Sequence, residues 1–145
     1  MTAQNDLGIL LDDYGMAGSD VAVLIGIRVA ALRRVRNGTS VLDDETQKQL
    51  GALTKFMDRL SNVVDDPAAW METAHIDWYS ARPMDMYPFV KPKQILAAAA
   101  GKTSLEDVFD AAVPGWRERY YSPYESFIAA DGYLSFRIRV PEDKK

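Results

Sequence analysis

The sequence predicts a mainly α-helical protein, with a bundle of short helices over residues 1–64 and a helical region over 65–145 that ends in a β-hairpin. Three observations carry that expectation. Apolar residues recur at helical spacing through the first 64 positions, glycines and prolines cut these stretches into short pieces, and strict alternation begins only near the C-terminus. The 145 residues are 48% hydrophobic and 26% charged, which supports a buried core and excludes a disordered or collagen-like chain.

Asn5 or Asp6 is placed to cap a first helix through about Tyr14, with Leu7, Leu10, Leu11 and Tyr14 on one face. Gly15 and Gly18 bracket a break, and Ser19 or Asp20 is the expected cap of a second helix that stops at Gly26. A third helix, VAALRRVR, ends at Asn37-Gly38. The fourth is the longest. Asp43, Asp44 and Glu45 complement its positive N-terminal end, and Leu50, Leu53, Phe56, Met57, Leu60 and Val64 form its apolar stripe. Pro67 opens a short fifth helix, and Asp65-Asp66 before it reads as capping rather than as a carboxylate pair for catalysis. Residues 80–92 hold three prolines and read as an extended loop, the expected domain seam. Two helices follow, KPKQILAAAAG and SLEDVFDAAV, the second opened by a capping box of Ser104 and Asp107. Asp131-Gly132 then turns a hairpin in which Leu134, Phe136, Ile138 and Val140 alternate with Ser135, Arg137 and Arg139. The tail PEDKK is expected to fray.

Several functions are excluded by what is missing. There are no cysteines and one histidine, His75, so a disulfide scaffold, a zinc–cysteine cluster, a thiol nucleophile and a multi-histidine metal site all lack their residues. His75 with Asp77 has no second imidazole to work with, and Gly101-Lys102-Thr103-Ser104 lacks the earlier glycine and strand of a phosphate loop. No nucleophile, base and orienting group come together, so the expectation is a protein that is not an enzyme and uses no cofactor or metal. The apolar runs fall short of the roughly 20 residues of a membrane span, and the N-terminus lacks the basic flank of a signal peptide. The expected location is the cytoplasm, away from membranes.

Net charge is −4, which gives no general attraction to nucleic acid. Its distribution does. Residues 28–36 carry Arg28, Arg33, Arg34 and Arg36 and no acid, a focused basic stripe on an acidic body. A helix-turn-helix needs a small residue where two helices cross, a glycine in the positive-φ turn, and apolar residues filling the junction from both sides. With Gly26 at the turn, the crossing residue four positions earlier is Ala22; Val21 and Ile25, then Ile27, then Leu32 and Val35 fill the junction. The same alignment leaves Arg28, Ala30, Arg33, Arg34, Arg36 and Asn37 as candidate DNA-contacting residues. Arginine takes a guanine edge bidentately, asparagine takes an adenine edge, and both hold phosphates. The same template placed on Gly101 sets Lys102 and Asp107 at core positions, so no second such unit is expected.

The stretch GSDVAVLIGIRVAALRRVRNG resembles the Xre-type helix-turn-helix regulators, over roughly Leu7 to Leu60. Arg28 stands where that family usually has a Ser or Thr capping the recognition helix. The resemblance implies an N-terminal helix-turn-helix bundle that binds double-stranded DNA as a transcriptional regulator, with a homodimer as the expected form and a phage-type repressor as one instance. Past residue 64 the layout resembles, more loosely, the toxin-binding region of the Xre/MbcA/ParS antitoxins, with Trp70, Pro92, Leu96 and Gly101 as the matching features. That implies an alternative, a C-terminal half that neutralises a partner toxin. The aromatic stretch after Pro114 has no place in that pattern. Trp70, Trp78, Tyr79, Tyr87 and Phe89 either pack a loop onto the long helix or form a partner or dimer surface. Trp116, Tyr120, Tyr121 and Tyr124 with Arg117 and Arg119, and Arg137 with Arg139, are secondary candidates for backbone contacts to nucleic acid.

Overall fold

α1 (Ala3–Gly8) buries Leu7 and continues without a break into a π-helical segment, Ile9–Asp13, whose wider turn puts Leu10 into the same core. The computed structural model describes residues 3–138, with residues 125–128 as backbone only. Tyr14 ends the π segment, and its hydroxyl donates to the Asp58 carboxylate, which pushes the phenol above its ordinary range. α2 (Gly18–Ile25) starts after Ala17 with no side-chain cap. The expected caps, Ser19 and Asp20, lie inside its first turn, because the helix begins two residues earlier than Ser19 would require and three earlier than Asp20; Asp20 there complements the helix dipole. α3 is Val29–Arg36 and α4 is Asp44–Ser61. Asp43 caps α4 by accepting from the Thr46 N–H at 2.7 Å, and that bond holds its carboxyl below the usual range. α1 packs on α3 and α4, and α2 packs on the same two helices.

α5 (Pro67–Glu72) opens with Pro67 in the first turn and Asp66 accepting from the Ala69 N–H at 3.1 Å. Residues 80–92 are not an extended loop. They hold α6 (Pro83–Met86) and a 3-10 turn, Tyr87–Phe89, before α7 (Pro92–Ala99). Each of the three prolines sits in the first turn of its element, where its missing N–H has no intrahelical partner to lose, so each starts a helix instead of breaking one. α8 (Leu105–Ala112) is capped by the Ser104 hydroxyl, which accepts from the Asp107 N–H at 3.1 Å. α9 (Trp116–Tyr120) follows Gly115.

The core is continuous from Leu7 to Trp116 and crosses residue 64 without a gap. α4 is its spine: Leu50, Leu53, Phe56, Met57 and Leu60 are buried, and the helix touches α1, α2, α5 and α7. Tyr87 tilts against Phe56 at 5.1 Å, and burial pushes its phenol up. Trp116 is fully enclosed. Its ring meets Phe109 edge-on at 5.4 Å, and its N–H donates to Asp110 at 2.7 Å. Ser80 and Ser122 donate backbone bonds to Tyr120 and Trp78 at 2.8 and 2.7 Å, tying two loop segments together. Trp78 itself has φ +74°, a left-handed conformation costing a bulky residue roughly 1–3 kcal/mol, and its ring stacks on Tyr121.

The chain then forms the expected hairpin, β1 (Tyr124–Ile128) antiparallel to β2 (Leu134–Ile138), with Tyr124 opposite Ile138 and Ile128 opposite Leu134. Gly132 takes φ +85° in the turn, and Asp131 accepts from the Tyr133 N–H at 3.1 Å. Arg139, Val140 and the PEDKK tail lie outside the described residues. Among the described residues, no helix is long and apolar enough to cross a membrane.

Candidate nucleic-acid interface

α2 and α3 meet at Gly26, which has φ +77° and ψ +32°, a left-handed conformation that a Cβ would strain. The turn is closed by backbone bonds. The Gly26 N–H donates to Val23 at 3.2 Å, and the Ile27 N–H reaches back to the Ala22 carbonyl at 2.9 Å. Ala22 is buried at 1% exposure, with Val21, Leu24 and Ile25 around it. One turn earlier, a Cβ built on Gly18 would lie 3.6 Å from Leu32 Cδ2, so the small residues Gly18 and Ala22 line the side of α2 that faces α3. From α3, Leu32 and Val35 enter the same core.

Arg28 is extended and starts α3 with its carbonyl, which accepts from the Leu32 N–H at 3.1 Å. No side chain caps this helix, so its first-turn amides stay open to an oxygen ligand. Ala30, Arg33, Arg34 and Asn37 follow at three- and four-residue spacing and are all exposed, a single stripe on the side of α3 away from Leu32 and Val35. α3 contains no acid, and its basic residues lie in the last turn, where they also offset the negative end of the helix dipole.

Arg36 is placed differently. Its guanidinium grips Asp12 of the π segment, with Nη2 at 2.7 and 2.9 Å from the two carboxylate oxygens, and Gln4 donates to its carbonyl at 3.3 Å. It therefore ties α3 to the N-terminal segment while staying 43% exposed along the side chain. A contact 24 positions back in the sequence leaves no mark on the local charge run.

Of the secondary candidates, Trp116, Tyr120 and Arg117 are taken up by packing and pairing, while Tyr121 and Tyr124 stay exposed. Arg117 pairs with Asp110 at 3.1 Å and Glu106 at 2.9 Å, holding the Asp110 carboxyl below its usual range and its own guanidinium more firmly protonated. It also lies over the Trp116 and Tyr79 rings. Arg119 lies over Tyr120. Of the aromatics between 70 and 89, Trp70, Tyr79 and Tyr87 pack against the core, which leaves Phe89 as the strongly exposed ring. His75 is exposed, bonds the Trp70 carbonyl at 2.9 Å and lies beside the Trp70 ring at 4.9 Å. His75 also lines a groove of about 590 Å³ with Trp70, Asp77, Tyr79, Ser104 and Glu106. No group of three metal-ligating side chains occurs among the described residues.

The hairpin carries an exposed apolar face. Leu134, Phe136 and Ile138 are 62%, 70% and 66% exposed. Their alternation announces an amphipathic strand but not whether the same chain covers it. No family model matches the chain, and no curated protein or solved structure is similar enough to match it.

Proposed function

We propose that residues 18–37 form a helix-turn-helix that sets α3 in the major groove of double-stranded DNA, and that the protein is a sequence-specific transcriptional regulator acting as a repressor. The observation that carries this reading is the division of α3 into two faces. Leu32 and Val35 are buried, while Ala30, Arg33, Arg34 and Asn37 form an exposed, acid-free stripe. Arg33 and Arg34 suit guanine edges, Asn37 suits an adenine edge or a phosphate, and Ala30 allows close approach of the helix to the bases. Arg28, at the uncapped N-terminus, brings a positive charge beside open amides, a combination that receives a phosphate oxygen. α2 braces the sugar–phosphate backbone in this arrangement. A repressor of this kind works by occupancy: a few phosphate and base contacts hold it where the polymerase would bind.

The test is selection of bound duplexes from a random pool by the full chain at near-physiological salt. A recurring consensus is the expected result, and two half-sites one helical turn apart report two copies of α3. A pool that stays random after repeated rounds overturns the reading.

A further inference from the structure

The exposed apolar side chains of this protein are not scattered. Val23, Val41, Val63 and Phe89 stand apart, whereas Tyr121, Tyr124, Tyr133, Leu134, Phe136 and Ile138 gather in and beside the hairpin. The register puts Tyr124 directly opposite Ile138, and Phe136 and Leu134 follow at two-residue steps on the same face. Ser135 and Arg137 alternate onto the other face, so the apolar one carries no charge from β2.

Among the described residues, the hairpin has little support from its own chain. Its strands pair with each other in a two-stranded sheet, and an isolated bridge from Tyr79 to Tyr121 anchors its base. A two-stranded hairpin is marginal in water and needs a third strand or a packed face. A second copy, present wherever the chain is, supplies such a packed face without requiring another protein.

We propose that the face formed by Tyr124, Leu134, Phe136 and Ile138 is the contact between two copies of this chain. The size of the patch fits. Large apolar side chains present about 150–250 Å² each when free, so these four residues, 56–70% exposed, offer about 500 Å² per protomer. A standard interface buries about 800 Å² per partner, and the rim of two apposed hairpins supplies the remainder. The chemistry fits as well. In a two-fold contact every residue meets the same patch on the partner, and an uncharged patch does so without like-charge repulsion, even on a protein of net charge −4. The hairpins stack face to face, Phe136 near the two-fold axis. This contact forms without DNA, so it stands or falls separately from the reading of α3.

Sedimentation equilibrium of the full chain without DNA, across micromolar concentrations, tests it. The parent is expected to be dimeric. Leu134→Thr with Phe136→Thr keeps β-favouring residues at exposed positions and is expected to weaken the dimer about tenfold or more. Val41→Thr, at a still more exposed apolar site off the patch, is expected to change nothing. Hydrogen exchange gives an independent readout: the amides of residues 134–138 in the parent should exchange faster on dilution. A parent that stays monomeric throughout overturns the proposal and assigns the face to a different protein. A double variant that dimerises as tightly as the parent overturns it too.

Discussion

Ala22→Leu is the sharpest perturbation of the α2–α3 junction. Ala22 is 1% exposed, its carbonyl closes the Gly26 turn, and it shares with Gly18 the side of α2 facing Leu32. Leucine adds three carbon atoms there, at a place with no solvent to receive them. Overpacking a well-filled core costs about 1–3 kcal/mol, through off-rotamer side chains and displacement of the neighbouring helix. For a domain of 145 residues, each kcal/mol lowers the melting temperature by about 3–5 °C, so a fall of about 3–15 °C is expected by circular dichroism. The matched control is Gly18→Ala. Its new methyl would meet Leu32 Cδ2 at 3.6 Å, an ordinary contact, and Gly18 lies at the start of α2 without positive φ, so this variant should gain about 0.4–1 kcal/mol from the stiffer unfolded chain. If Ala22→Leu melts with the parent, the close approach of the two helices at Ala22 is refuted. If Gly18→Ala is the more damaging of the two, the order of packing along α2 is wrong.

Three further perturbations reach other parts of the account. Gly26→Ala forces an alanine to φ +77°, where nothing within 4 Å obstructs the methyl, so the loss is backbone strain alone, about 1–2 kcal/mol, read from the urea midpoint. Asp12→Asn releases Arg36 from its carboxylate partner; DNA affinity should rise and its salt dependence steepen by up to about one phosphate contact, and unchanged titrations would show that Arg36 takes no part. Glu72 is pushed above its ordinary carboxyl value chiefly by a hydrogen bond with Asp20, with burial and the charges of Asp20 and Asp66 adding to the shift and Arg82 opposing it. A pKa raised by folding means that the stabilisation from Glu72 is complete below its unfolded value and disappears as pH rises through the raised one. Glu72→Gln should therefore melt higher than the parent at pH 7, with the gap closing toward pH 4; a gap that widens on acidification would reverse the assignment.

The elements that could be read from sequence are those whose signals are local. Asp43, Asp66 and Ser104 each accept from an amide three residues on, and Gly26 and Gly132 each take the positive φ that their turns require. The stripe of α4 is legible because a helix with one exposed face still shows its 3.6-residue period. The prolines misled because the same residue that ends a helix from inside starts one from its first turn, and only the following residues decide between the two. Capture of Arg36 by Asp12, and of Arg117 by Glu106 and Asp110, depends on which elements fold together, which no charge run reveals. The exposed stripe at Ala30, Arg33, Arg34 and Asn37 follows from periodicity once Leu32 and Val35 are known to face inward.

The central claim is that this stripe touches DNA, and the most direct measurement is titration of a selected duplex with the parent and with Arg33→Ala/Arg34→Ala at two salt concentrations. Both arginines are exposed and outside the core, so the double variant should melt with the parent. Each base or phosphate contact removed should weaken binding by roughly 1–3 kcal/mol, and the loss of two charges should flatten the dependence of affinity on salt. A folded variant that binds the same duplex with the parent's affinity and salt dependence would contradict the account.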